Sequence, residues 1–161
     1  MTRVDSMHLI PATDHTVETL EMMLSGSEHQ AFPIVSSLQE MQLVGFAGKA
    51  ELLHAINCAK LDGIPSDAAC LFSELTEFSD ANHILDLRRW MDSTPFTIHP
   101  RLPMILVLEI FKKLGLRSVL ITRRGKLCGI ITKKDLLHHL NFLNDPSGNY
   151  RPVSVWERET G

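Results

Sequence analysis

A short pattern occurs twice in this chain, and it limits the fold more than any other feature of the sequence. Leu43-Val44-Gly45-Phe46-Ala47-Gly48-Lys49-Ala50-Glu51-Leu52-Leu53-His54 lines up without a gap against Leu127-Cys128-Gly129-Ile130-Ile131-Thr132-Lys133-Lys134-Asp135-Leu136-Leu137-His138. The two runs share Leu, Gly, Lys, Leu, Leu and His at a constant offset, and an acid, Glu51 or Asp135, holds the same place in both. Identity at that density inside one short chain indicates duplication.

The flanks repeat too. Each half opens with an extended segment, Met7 to Ile10 and Pro95 to His99. Each continues with an amphipathic helical pattern. In the first half Val17, Leu20, Met23 and Leu24 share a face behind a cap at Thr13 or Asp14. In the second, Pro103 suits the first turn, Ile105, Leu108 and Phe111 or Lys112 mark successive turns, and Gly115 is a stop. Two strands follow, Phe32 to Val35 with Leu43 to Phe46, and Ser118 to Thr122 with Leu127 to Ile131. Arg123-Arg124-Gly125-Lys126 is a hairpin signal between the second pair. Helices from about Lys49 to Lys60 and Lys133 to Phe142 close the halves. The unit is β-α-β-β-α taken twice, an α/β (α+β) fold. Repeat 1 is expected over 6–62, a linker with few helix or strand patterns over 63–88, repeat 2 over 89–145 and a tail over 146–161. Trp156 in that tail is a large apolar residue able to dock.

The chain's 161 residues and 44% hydrophobic content suffice for one compact domain or two small ones sharing a core. A net charge of −3 gives no field to gather nucleic acid or anionic lipid. Cys58, Cys70 and Cys128 are odd in number, widely spaced and set among apolar neighbours, which suits buried thiols in a reducing compartment rather than a disulfide framework. The first residues show no apolar signal-peptide core, and no stretch approaches the roughly 20 apolar residues that span a bilayer. His138 and His139 are adjacent and point about 100° apart on a helix, so no metal site is expected. No catalytic Ser-His-Asp or Cys-His set can be nominated without assuming proximity.

The duplicated unit, with Gly129-Ile130-Ile131-Thr132-Lys133-Lys134-Asp135-Leu136 before its last helix, resembles a tandem pair of cystathionine-β-synthase-type (CBS) repeats. Phe32-Pro33-Ile34-Val35, Pro95-Phe96-Thr97 and Phe111-Lys112-Lys113-Leu114-Gly115-Leu116-Arg117 make it similar to the cytosolic C-terminal region of eukaryotic CLC chloride channels and chloride/proton exchangers, in the intracellular branch. The resemblance implies repeats packed about a pseudo-two-fold axis and a module that dimerises beneath the membrane part of its own transporter. It implies a position on the cytosolic face of an endosomal, Golgi or vacuolar membrane. It also implies an adenine nucleotide (ATP, or ADP or AMP) in the cleft between the repeats, regulation of transport, and no catalysis by the module itself.

Thr132 and Asp135 are the sharpest chemical feature. One reading is a capping box that needs no ligand. The other sets the Asp135 carboxylate against the two hydroxyls of a ribose, a charge-assisted pairing that selects a nucleoside. Lys134 would then lie near the phosphates. Gly48 and Glu51 occupy the matching places in the first repeat, which makes a second, symmetric site degenerate. The resemblance draws the opposite wall from the first repeat. His29 falls where a Tyr commonly stacks on adenine, and His8 where a small hydroxyl residue is usual. Gln30 and Ala31 would offer backbone groups to the base edge, and Phe32 and Pro33 would line the pocket. His8 and His29 also fit solvated loop histidines. A dimerisation module without ligand, or the energy-sensing insert of a soluble enzyme, remain alternatives.

Overall fold

A computed structural model of the chain describes residues 2–3, 8–74 and 84–143. In chain order the elements are β1 (Thr2–Arg3), β2 (Ile10–Pro11), β3 (His15–Thr16), α1 (Val17–Gly26), β4 (Ala31–Val35), β5 (Leu43–Gly48) and α2 (Lys49–Leu61). They continue with β6 (Ala69–Leu71), β7 (Ile84–Asp86), a 3-10 turn (Arg88–Trp90), β8 (Thr97–Ile98), α3 (Met104–Leu114), β9 (Ser118–Arg123), β10 (Lys126–Thr132) and α4 (Lys133–Leu143). Trp156 and the rest of the tail lie outside the described residues. The chain divides into two units, His8–Pro95 and Met1–Met7 with Phe96–Gly161.

In the first unit β2 runs parallel to β4, which pairs antiparallel with β5. The side chains that alternate inward from these strands meet α1 and α2 in a core that includes Ile10, Leu20, Leu24, Phe32, Ile34 and Leu52. The helix α1 starts at Thr16, later than the Thr13 or Asp14 expected. Asp14 takes a left-handed backbone, φ 73°, and His15 and Thr16 then pair with Cys70 and Ala69 as strand. Only after that pairing can the helix begin. Its first N–H groups are satisfied by Ala68 O and Ser66 O, at 3.0 Å each, and Thr16 Oγ1 accepts from Thr19 N at 3.3 Å. Residues 69–71 and 84–86, expected to be irregular, are strands. With β3 they form a second sheet, order β3-β6-β7. The strands are three residues or fewer, too short for alternation to register in the sequence.

Gly45 lies within β5, where the segment carrying Met91 and Asp92 packs against it. Phe46 and Asp92 exchange both backbone hydrogen bonds, at 2.9 and 2.8 Å. A Cβ on Gly45 would come 2.8 Å from Asp92 O and press into the Met91 side chain, so only glycine fits.

The second unit repeats the plan of the first. There β8 is parallel to β9, β9 antiparallel to β10, and β1 adds to the far edge of β10. Its core gathers Ile98, Val107, Phe111, Val119, Ile121 and Ile131. The buried stripe of α3 runs through Met104, Val107, Leu108 and Phe111, the i, i+3, i+4, i+7 spacing. Ile105, expected on that stripe, is 64% exposed because it sits one residue round the helix from Met104. Gly115 ends α3 in the left-handed conformation, φ 61°, as expected of a C-terminal glycine. The duplication extends to single hydrogen bonds. Lys49 N donates to Gln30 O, the residue before β4, at 2.8 Å. Lys133 N donates to Arg117 O, the residue before β9, at 3.1 Å.

Candidate functional site

The residues singled out by sequence form two groups, one in each unit. In the second unit β10 runs without a break into α4, and Thr132 is the hinge between them. Its backbone N–H and its hydroxyl both donate to Asp135 Oδ2 at 2.8 Å, while Asp135 N donates back to Thr132 Oγ1 at 3.3 Å. That reciprocal pattern is a capping box with aspartate as its acid. Burial opposes ionisation of Asp135, but hydrogen bonds from the Thr132 backbone and side chain favour it, and the carboxyl is held below the usual carboxylate range. The result is an ionised, half-buried carboxylate at the N-terminus of a helix, where the dipole also favours negative charge. Lys134, beside it, is exposed.

In the first unit the turn between α1 and β4 brings His8 and His29 together. Their rings meet edge to face with centroids 4.9 Å apart, and His29 stands 6.5 Å from the Phe32 ring. Both imidazoles belong to exposed residues, whereas Phe32 and Pro33 are buried and Phe32 is wholly enclosed in the core. Phe32 therefore supports this group from beneath. The Gln30 carbonyl accepts the Lys49 N–H, and Ala31 faces Gly48 in the β4–β5 ladder.

Two further residues hold this group and went unrecognised in the sequence. Ser27 is 4% exposed, a buried hydroxyl in an otherwise apolar core. Its Oγ lies 3.3 Å from His8 Nδ1 and accepts the His29 N–H at 3.2 Å. The Lys49 ammonium donates to Ser27 O at 2.7 Å and pins the same turn. Lys49 carried a signal that could have found it, because it recurs as Lys133 in the duplicated pattern. Ser27 carried none.

Gly48 and Glu51 stand where Thr132 and Asp135 stand in the other repeat. Gly48 has no side chain with which to cap α2. The Glu51 carboxylate folds into the space a Cβ on Gly48 would need. Among the described residues no three His, Cys, Asp or Glu side chains gather in a metal-binding group. Among them also, no helix is long and apolar enough to cross a membrane.

Comparison with known proteins places these groups in context. Residues 86–141 match the family model of the CBS domain. Over 144 residues, 87% of this chain, the sequence is 40% identical to "H(+)/Cl(-) exchange transporter 3" of Homo sapiens, covering 17% of that protein. Over 131 residues, 78% of the chain, it is 40% identical to "H(+)/Cl(-) exchange transporter 5" of Homo sapiens, covering 16% of it. The chain thus spans less than a fifth of the length of the curated relatives it matches. Among solved structures it is similar to CBSX2 in complex with AMP, with a TM-score of 0.62 and 16% identity over 90% of this chain and 95% of that one. It is also similar to CbpB in complex with c-di-AMP, with a TM-score of 0.58 and 16% identity over 88% and 81% of the two chains. At those identities the likeness to solved structures is one of fold.

Proposed function

Since residues 86–141 belong to the CBS-domain family, we propose that the chain is a regulatory, non-catalytic module of a chloride/proton exchanger and that it binds an adenine nucleotide. One observation carries the nucleotide reading: the ionised, half-buried Asp135 at the start of α4. The charge of that carboxylate is what would select the two hydroxyls of a ribose. In this reading Asp135, with Thr132 behind it, selects the ribose and Lys134 meets the phosphates. For the base, the reading names His29 to stack on adenine with His8 at its edge, Gln30 and Ala31 for backbone contacts, and Phe32 and Pro33 as buried support beneath them. The likeness to proteins solved with AMP and c-di-AMP supports an adenine nucleotide, with ATP, ADP and AMP as candidates.

Regulation follows from differential affinity. A bound nucleotide shifts an exchanger between conformations only as far as it binds one more tightly than the other. The same reading gives the module the membrane part of its own transporter and a second copy of itself as partners, on the cytosolic face of an intracellular membrane. It is supported by the 40% identity to the exchangers.

Calorimetric titration of the chain with ATP, ADP and AMP, repeated on Asp135→Ala, tests the reading. Saturation near one nucleotide per chain, abolished by the substitution in a chain that stays folded, is the expected result. No heat with any of the three would reject it. That outcome would favour a second reading, a dimerisation module without ligand. The carboxylate already engaged in a cap, the enclosed Phe32 and the Gln30 carbonyl already bonded to Lys49 speak for that alternative.

A further inference from the structure

His54 and Cys58 lie four residues apart on α2, and a helix puts such residues on one face. Cys58 Sγ is 3.6 Å from His54 Nε2, within reach of a sulfur hydrogen bond. The imidazole is oriented from outside the helix. Its ring meets the Trp90 indole edge to face, with centroids 5.4 Å apart at an angle of 73°.

The three cysteines sit in three environments. Cys70 is 1% exposed, and burial pushes its thiol up to about 12, so it stays protonated and out of reach. Cys128 is partly exposed, but its thiol donates to Lys126 O at 3.6 Å. A carbonyl can accept that hydrogen bond but cannot carry the proton away. Cys58 is also partly exposed, and its neighbour is a base. If Nε2 is unprotonated it accepts the thiol proton, and if it is protonated it stabilises the thiolate. Either form favours the nucleophile.

We propose that Cys58 is a thiol-modification site, with His54 as its proton acceptor, that takes a small-molecule disulfide of the glutathione type. The Cys58 proton passes to His54 Nε2 and the thiolate attacks one sulfur of the disulfide. A new S–S bond forms to Cys58 as the old one breaks, and the departing thiolate recovers the proton from His54. One disulfide is consumed, one mixed disulfide and one thiol are produced, and no other oxidant is required. The Cys-His pair includes none of the residues assigned to the nucleotide, so the proposal does not depend on nucleotide binding.

The folded chain would be incubated with oxidised glutathione and the adduct located by intact mass and peptide mapping over time. The expected result is one adduct, at Cys58, forming about tenfold or more faster than any at Cys128. His54→Ala should slow it about tenfold, with partial recovery on adding free imidazole, while Cys128→Ser leaves the rate unchanged. Labelling of Cys128 as fast as Cys58, or an unaltered rate in His54→Ala, would overturn the proposal. Should His54→Ala unfold, revealed by labelling of Cys70, His54→Gln decides by the same rate comparison.

Discussion

Ser27 and His8 are joined by a hydrogen bond of 3.3 Å between Oγ and Nδ1, and the same buried oxygen accepts the His29 N–H. One hydroxyl therefore holds the His8 ring and the His29 backbone. Replacing Ser27 by Ala removes a partner from each and should cost about 1–3 kcal/mol. A lower denaturation midpoint with an unchanged slope is expected, together with weaker binding of the nucleotide proposed above. A midpoint equal to that of the wild type would show that the hydroxyl does not hold the turn.

The capping box at Thr132 gives a second expectation. Thr132→Ala should lower stability by about 1 kcal/mol, the usual cost of an N-cap. Asp135 adds a pH signature because its carboxyl is held below its ordinary value of 3.8. Its contribution is fully present above that value and is lost as pH falls through the lower folded value. Denaturation curves of the wild type and Asp135→Asn should thus differ near neutrality and converge in acid. A constant gap at every pH would remove Asp135 as the source.

His15 predicts acid sensitivity of opposite origin. Burial lowers its pKa, against a smaller upward pull from Asp14, and its Nε2 is buried with no hydrogen-bond partner among the described residues. The unfolded chain therefore takes up a proton that the folded chain resists. Stability falls as pH drops through the ordinary value of 6.5, until the lower folded value is passed. His15→Leu should flatten the change in denaturation midpoint between about pH 7.5 and 5.5. An equally steep change in the variant would point to another group.

At the β9–β10 hairpin, Arg123 pairs with Lys126 across the two-residue turn Arg124-Gly125, and both turn residues have positive φ, 53° and 78°. That conformation suits glycine and asparagine better than arginine. Arg124→Asn should raise stability by about 1 kcal/mol, part of the roughly 1–2 kcal/mol that the left-handed conformation costs an ordinary residue, read as a higher melting temperature. A loss of stability would mean that the Arg124 side chain contributes more than its backbone strain costs.

The extent of the fold that could be read from sequence follows physical lines. The hairpins and the helices α2 and α4 were legible because period, turn chemistry and duplication agreed on them. Thr132 and Asp135 were legible because a capping box is local, three residues apart. The second sheet was not, since its strands are short and depend on distant partners for pairing. The start of α1 was misplaced because pairing of His15 with Cys70 decides it, and a pairing between distant residues leaves no mark near the helix. Ser27 escaped for the same reason. Its role comes from His8, brought in from a different segment, and a serine after a glycine otherwise signals only a turn. The Cys58–His54 contact fell between these cases, with spacing visible in sequence but side-chain geometry not.

The short strand β1 gives the order of folding an unexpected twist. Thr2 and Arg3 pair with Ile130 and Gly129, so this strand waits for a partner that lies beyond both β-hairpins along the chain. A piece cut at the boundary before Phe96 would lack that covering strand and leave the β10 edge bare, an open template for intermolecular pairing. Anyone expressing the second unit by itself should expect aggregation, and should expect that restoring residues 1–7 by circular permutation relieves it. In that sense the two halves of this sequence are duplicates, but the two halves of the chain are not interchangeable parts.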